Sequence, residues 1–191
     1  MIAGLVMAAG LGTRFGGDKV LATLRGVPVV RHVVDALVRA GLAPIIVVAG
    51  ASAAGVRAAL VDVDAVVVVN PRPDDGLSAS IRVGVDALPE RIDAFVVALG
   101  DQPLVNADVV RLLGEMWRDS NAAAVVPEYR DGPGNPVLFD ATMRRVVGTL
   151  AGDSGARTLL AAMGDRVVRL PVDGAAPRDI DTADDLRALE S

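Results

Sequence analysis

The chain reads as an α/β protein: a three-layer, doubly wound, mostly parallel sheet with a small hairpin insertion. Three observations carry that reading. Short Val- and Ala-rich runs alternate with amphipathic helical patterns as far as Val126. Hydrophobic residues make up 52% of the chain and aromatics only 3%, which suits strands buried on both faces. The first apolar run leads directly into a glycine-rich turn, as in open α/β sheets whose ligands sit beyond the carboxyl ends of the strands.

Taken in order, the strand candidates are Ile2–Val6, Ile45–Val48, Ala65–Val69, Ala94–Leu99 and Ala122–Val126. Each is a short apolar run bounded by turn residues or charge. Helical patterns fall between them. Pro28 to Ala40 has proline at its start and is stopped by Gly41. Ser52 to Val61 has Ser52 as its expected N-cap, and Ser78 to Leu88 has Ser78. Asn106 to Arg118 follows. Strand then helix, repeated, gives parallel neighbours joined by right-handed crossovers. The rhythm changes after Val126. Pro127 to Phe139 holds Gly132, Pro133, Gly134 and Pro136 beside Val137-Leu138-Phe139, a loop with a hairpin-like strand. A helix over Asp153 to Met163, a strand over Arg166 to Leu170 and a closing helix over Thr182 to Glu190, capped by Thr182, complete the pattern. No repeat or linker interrupts it, so residues 1–191 are expected to form one domain.

Composition narrows the function classes. A net charge of −5 gives no electrostatic case for nucleic acid. Without cysteine there is no disulfide framework, thiolate zinc site or cysteine nucleophile, and one histidine cannot serve both a triad and a metal site. Mean hydropathy is +0.44, yet every long apolar run is broken by Gly, Pro or charge before the roughly 18 residues of a membrane span. No basic stretch precedes the first apolar run, so neither a signal peptide nor a membrane association is expected, and the cytoplasm is the expected location.

The most informative stretch is Met7-Ala8-Ala9-Gly10-Leu11-Gly12-Thr13-Arg14-Phe15-Gly16-Gly17-Asp18-Lys19. Small residues let the backbone approach a ligand and present its N–H groups, and Arg14 and Lys19 add fixed positive charge. A polyphosphate needs these features. A Walker loop is excluded, because Asp18 stands after Gly17 where the lysine belongs and Val20 follows Lys19. Gly10, Gly12 and Gly16 approximate a dinucleotide fingerprint. The second strand candidate, however, ends in Val48-Ala49-Gly50-Ala51-Ser52 without the carboxylate that would hold a ribose.

The order A-A-G-x-G-x-R-x-G-G-x-K after an N-terminal strand resembles the MobA-like NTP transferase family. Within it, the chain looks like the molybdenum cofactor cytidylyltransferase (MocA-like) branch. The resemblance runs from Ile2 to Leu189. It implies a Rossmann-like fold of the nucleotide-diphospho-sugar transferase type and a magnesium-dependent transfer of NMP, CMP from CTP, to a phosphorylated acceptor such as molybdopterin. A molybdoenzyme or its chaperone would be the protein partner. Ala8, Ala9, Gly10, Gly12, Arg14 and Lys19 are the implied nucleotide-binding residues, with Arg14 and Lys19 also acting in catalysis. The cytidylyl branch is matched at Ala9, where the guanylyl branch tends to carry glycine.

Two carboxylate clusters lie downstream. Asp101 follows the strand Ala94–Leu99 in Gly100-Asp101-Gln102-Pro103. A carboxylate at that end of a parallel strand faces the ligand crevice, and magnesium takes few protein carboxylates beside phosphate oxygens. Asp101 therefore reads as a metal ligand and catalytic residue, a turn cap being the plainer reading. In Asp179-Ile180-Asp181-Thr182-Ala183-Asp184-Asp185, Asp179 and Asp181 point to one side of an extended segment. Asp184 and Asp185 suit the dipole of the following helix. The family's D-x-D-T segment implies Asp181 as the second metal ligand, with Asp179 in reserve. Its G-x-x-x-S segment implies Gly76 and Ser80 near the base. Gly134-Asn135-Pro136-Val137 and Gly152-Asp153-Ser154-Gly155-Ala156-Arg157 match the acceptor half, where Arg157 could grip a phosphate or simply be an exposed helix arginine. His32 reads as structural. Three rival functions remain: a sugar- or alditol-phosphate nucleotidyltransferase, an NAD(P)-binding oxidoreductase, and a silent nucleotide-binding module.

Overall fold

The computed structural model describes residues 1–149 and 155–190. In chain order the elements are β1 (Ile2–Ala8), the short hairpin β2 (Thr23–Leu24) and β3 (Val27–Pro28), α1 (Val29–Arg39), β4 (Ile45–Ala49), α2 (Ala53–Ala59), β5 (Ala65–Val69), α3 (Leu77–Asp86), β6 (Ala94–Leu99), α4 (Ala107–Asp119), β7 (Ala124–Tyr129), β8 (Gly132–Pro133), β9 (Val137–Asp140), α5 (Arg144–Val147), α6 (Gly155–Met163), β10 (Val167–Pro171) and α7 (Ala183–Glu190). The main sheet runs β10-β7-β9-β6-β1-β4-β5, with β8 paired to β7. β1 is parallel to both β4 and β6, β4 to β5, and β7 to β10.

Alternation along the strands explains why they are apolar throughout. Leu5, Met7, Ile46, Val48, Phe95 and Val97 face one side, against Ile81 and Val85 of α3 and Val147 of α5. Val6, Ala8, Val47, Ala49, Val96 and Ala98 face the other, against Val30, Val33 and Leu37 of α1 and Val109 and Leu113 of α4. A strand between two helical layers has no solvent face to leave polar. Among the described residues, no helix is long and apolar enough to cross a membrane.

The insertion departs from expectation. β8 does fold back on β7 as a hairpin, but β9 enters the main sheet between β6 and β7, antiparallel to both. Val137-Leu138-Phe139 is apolar at every position because it too is covered on both faces. Phe139 stacks on its cross-strand partner Phe95 with ring centroids 5.6 Å apart, a contact worth about 0.5–1.5 kcal/mol beyond burial. The sheet is therefore mixed, with one antiparallel strand between two parallel blocks. β7 also extends further than expected, through Pro127 to Tyr129. Pro127 is placed opposite Leu170 of β10.

Helix starts differ in detail. Asn106 caps α4, its side chain accepting from the Asp108 N–H at 2.8 Å. Ser52 holds the cap position of α2 but its hydroxyl makes no cap bond. Ser78 is not a cap: the chain enters α3 through a 3₁₀ turn at Pro73–Asp75 and Gly76, so Ser78 falls in the first helical turn and is buried. His32 is structural as expected, its Nε2 lying 2.9 Å from the Leu24 carbonyl and tying α1 to the hairpin. The expected start of α6 at Asp153 lies outside the described residues.

Candidate active site

β1, β6, the turn before α3 and the segment before α7 bring their residues to one cleft of about 620 Å³. Ala9, Gly10, Gly12, Arg14 and Lys19 line it from the loop after β1, Gly76 and Ser80 from the start of α3, Asp101 from the end of β6, and Asp179 and Asp181 from the last segment. Of the residues expected to meet the nucleotide or metal, Ala8 alone does not line the cleft. The alternation of β1 turns its methyl into the core beneath α1.

The loop is shaped by close backbone approaches. Gly12 has φ +59°, and a Cβ there would lie 2.1 Å from the Gly17 carbonyl oxygen. The Gly12 carbonyl accepts from the N–H groups of Phe15 and Gly16, both at 3.0 Å. Among the described residues no backbone carbonyl takes the N–H groups of Gly10, Leu11 or Thr13. The turn folds tightly and leaves donors at the cleft, where an anion can use them. At the end of β6, the Gly100 N–H donates to Met7 O at 2.8 Å, and a Cβ on Gly100 would meet that oxygen at 2.9 Å. Glycine at this position lets the chain continue alongside β1 and deliver Asp101 to the loop.

The charges converge on Lys19. Its Nζ lies 2.5 Å from Asp101 Oδ2 and 3.0 Å from Asp181 Oδ1, and Arg14 reaches Asp181 Oδ2 at 3.0 Å. Two carboxylate oxygens that share one ammonium are no more than about 5.5 Å from each other, the sum of those contacts. Burial alone would depress the Lys19 pKa. The hydrogen bond and charge of Asp101, followed by those of Asp181, reverse this and hold it above the ordinary lysine value. Asp179 is tied to the same group, its Oδ1 accepting from Gln102 Nε2 at 2.8 Å. Desolvation raises its pKa, opposed by the Gln102 bond and reinforced by the negative charges of Asp101 and Asp181.

The final segment is brought in by its backbone. The Ile180 N–H donates to Asp101 O at 3.0 Å, and the Ile180 side chain is fully buried against Leu24 and Val29. Asp179 and Asp181, on either side of it, are thereby turned into the cleft. The sequence pattern missed three supporting residues. Asn70, 3% exposed, donates its Nδ2 to Ser80 Oγ at 3.1 Å and so orients that hydroxyl. Gln102 holds Asp179. Asp185 was assigned only to the helix dipole, whereas its Oδ2 accepts from the Thr182 N–H at 2.7 Å and the Asp185 N–H returns to Thr182 Oγ1 at 3.2 Å. The T-x-x-D spacing was the available signal for this capping box. These bonds, first that of the Thr182 hydroxyl, lower the Asp185 pKa. Asp184 does stay outside the site, paired with Arg187 on the surface.

Among the described residues no group of three side chains is arranged to hold a metal ion. Asp101 and Asp181, however, share the Lys19 ammonium between them, and such a pair of oxygen donors suits a hard cation. A polyphosphate drawing Lys19 and Arg14 to itself would leave the carboxylates in deficit, the arrangement magnesium or manganese accepts. Arg157, read either as an acceptor contact or as an exposed helix arginine, is exposed. Gly152, Asp153 and Ser154 lie outside the described residues. A larger hollow of about 770 Å³ lies between the end of α3 and α5, where Arg144 is already bonded to the carbonyls of Val85, Leu88 and Pro89.

Known proteins share the sequence pattern and the fold. Residues 4–167 match the model of the MobA-like NTP transferase domain. Rv0371c from Mycobacterium tuberculosis superposes with a TM-score of 0.89 at 34% identity, covering 99% of this chain and 97% of that one. Its complex with manganese superposes with a TM-score of 0.82 at 35% identity, covering 98% and 97%. Nicotine blue oxidoreductase of Paenarthrobacter nicotinovorans is 31% identical over 166 residues, 83% of this chain and 81% of that protein. A probable molybdenum cofactor guanylyltransferase of Thermococcus sibiricus is 31% identical over 130 residues, 68% and 63% respectively. The bifunctional protein GlmU of Rubrobacter xylanophilus is 38% identical over 123 residues, 63% of this chain but only 25% of that protein.

Proposed function

The chain belongs to the MobA-like NTP transferase family, and from that premise we propose that residues 1–191 act as one domain that transfers CMP from CTP to a phosphorylated acceptor of the molybdopterin type, releasing pyrophosphate. Nucleotidyl transfer is the family's chemistry; the base, the acceptor and the metal are the proposal. The observation that carries it is the convergence of Asp101 and Asp181 on Lys19, beside Arg14, in the cleft of the glycine loop.

The acceptor phosphate supplies the nucleophile. Its second pKa is about 6, so it is largely ionised at neutral pH and needs no general base. The site accordingly offers cations and carboxylates with no histidine. An acceptor oxygen forms the new bond to the α-phosphorus, the bridge to the β-phosphorus breaks, and its electron pair leaves with pyrophosphate. Lys19 and Arg14 exchange their carboxylate partners for phosphate oxygens and stabilise the charge that develops there. The N–H groups of Gly10, Leu11 and Thr13 fix the triphosphate. Asp101 and Asp181, released from Lys19, would hold magnesium, which would neutralise the triphosphate when bound. Ala9 lines the cleft with its methyl group and reduces the room a purine would need. Ser80 and Gly76 face the base. A molybdoenzyme or its chaperone, in the cytoplasm, would receive the product.

The similarity to nicotine blue oxidoreductase favours a second reading, in which the same loop holds a nicotinamide dinucleotide. Against it, β4 ends in Val48-Ala49 followed by Gly50, with no carboxylate for the ribose, and the Lys19–Asp101–Asp181 cluster would have no task. Purified protein incubated with each NTP, magnesium and phosphorylated acceptors, and separately with NAD(P)H and a quinoid dye as the two-electron acceptor, separates the readings. Metal-dependent pyrophosphate release with a cytidylyl product is expected. NAD(P)H oxidation without pyrophosphate release would replace the proposal with the second reading.

A further inference from the structure

Asp181 is the less secured of the two carboxylates. Asp101 sits on the end of a central strand, whereas Asp181 lies in the segment between β10 and α7, preceded by the exposed Arg178 and Asp179. From upstream that segment is anchored by Ile180. From downstream Thr182 is held by the Asp185 N–H on its hydroxyl and the Leu186 N–H on its carbonyl, and the peptide between Asp181 and Thr182 by Asp185 Oδ2. That oxygen accepts the Thr182 N–H at 2.7 Å, the Thr182 hydroxyl at 2.8 Å and the Asp181 N–H at 3.1 Å. In a capping box the N3 side chain takes only the N–H of the cap residue, here Thr182. The third bond reaches one residue further and takes the peptide that carries the Asp181 side chain.

We propose that Asp185 is a positioning residue for the cleft: by holding the Asp181 and Thr182 amides on one carboxylate oxygen, it aims the Asp181 carboxylate at Lys19 and Arg14, across from Asp101. The inference rests on reading this cleft as the site of nucleotidyl transfer. Asp185 is not one of the residues that line the cleft; its hydrogen bonds go to the Asp181 and Thr182 amides and the Thr182 hydroxyl. Its neighbour Asp184 carries the same charge in the same helical turn but pairs with Arg187 at the surface. Helix-dipole effects would be shared by the two, whereas positioning belongs to Asp185.

The test compares Asp185→Ala, Asp185→Asn and Asp184→Ala in the full chain. The readouts are melting temperature, Mn²⁺ affinity without nucleotide, the Mg²⁺ dependence of pyrophosphate release, and the crystal structure. Loss of a partner that orients a metal ligand typically weakens metal binding about 10–100-fold. Asp185→Ala should lose metal affinity in that range, with the KM for nucleotide little changed at saturating metal. Asp185→Asn should recover most of it, since its amide oxygen can accept the same N–H groups. Asp184→Ala should behave as wild type. Should Asp185→Ala not fold, Asp185→Glu replaces it: glutamate retains the capping box, but its longer arm displaces the oxygen from the Asp181 amide. Unchanged metal affinity in the folded variant, or an equal loss in Asp184→Ala, would overturn the proposal. If the wild-type chain transfers no nucleotide or binds no Mn²⁺, the proposed function fails separately. The variant's structure then decides: Asp181 displaced from Lys19 supports positioning, and Asp181 still 3.0 Å away refutes it.

Discussion

Replacing Lys19 by methionine keeps an unbranched side chain one atom shorter and removes the charge that Asp101 and Asp181 share. Their side chains are 19% and 33% exposed, and that of Lys19 is 12% exposed, so an effective dielectric of about 20 is appropriate. At a separation of about 5.5 Å, two unit charges then repel by about 3 kcal/mol. The wild-type chain relieves this with Lys19; the variant must take up a proton or a cation. Lys19→Met should therefore bind Mn²⁺ in the absence of nucleotide about 10–100-fold more tightly than wild type, a gain of the same order as the repulsion the ion relieves. Its metal-free melting temperature should fall by about 2–4 °C per kcal/mol of unrelieved repulsion and return on adding Mn²⁺. Turnover should move the other way, falling about 10²–10³-fold, because a donor to developing phosphate charge is gone. Electron paramagnetic resonance titration of Mn²⁺ and a pyrophosphate-release assay measure the two quantities. Equal Mn²⁺ affinity in both proteins would show that Lys19 does not occupy the place of a cation, and unchanged turnover would remove it from the site.

Three other outcomes are expected. Asp101→Asn and Asp181→Asn should each lower metal-dependent turnover by roughly two orders of magnitude while remaining folded, and the double variant should be little worse, because residues serving one ion act as a unit; additive losses in turnover would argue against a shared metal. Ala9→Gly should shift a CTP-versus-GTP competition toward guanylyl product, since it removes the methyl group that lines the cleft; an unchanged product ratio would acquit Ala9. Tyr129 is the chain's single tyrosine, and burial, followed by the charge of Asp131, raises its pKa to about 12. The folded state therefore prefers the neutral phenol, and this contribution to stability should be complete below pH 10 and lost as pH rises toward 12. Phenolate absorbance with a native midpoint near 10 would contradict the burial.

The parts legible in the sequence were those with a local physical signature. Periodicity located β1, β4, β5, β6 and the helices between them, and the glycine loop marked Gly10, Gly12, Arg14 and Lys19, which line the cleft. Pairing was less legible. Nothing local in Val137-Leu138-Phe139 distinguishes a strand at an insertion's edge from one inside the main sheet, because the position of β9 depends on its remote partners Phe95 and Ala124. The hairpin of β2 and β3, two residues per strand, is too short for any alternation to register. Ser78 looked like a cap because its preference is local, while the 3₁₀ turn that displaces the helix start is not. Ala8 and Ala9 were equal in the motif, and only the alternation of β1 separates the core residue from the cleft residue. Asp179 and Asp181 were placed on one side by simple alternation. That they meet Asp101 follows from the Ile180 amide on the Asp101 carbonyl, a contact no spacing rule contains.

A crystal structure of the chain with CTP and Mn²⁺ tests the central claim most directly. The account requires the triphosphate along the loop of Gly10, Leu11 and Thr13, with Lys19 withdrawn from Asp101 onto phosphate oxygens. One Mn²⁺ should be coordinated by Asp101 and Asp181 at the usual distance of about 2.1–2.2 Å. A nucleotide bound in the cleft with Lys19 still 2.5 Å from Asp101 and the metal held elsewhere would contradict it.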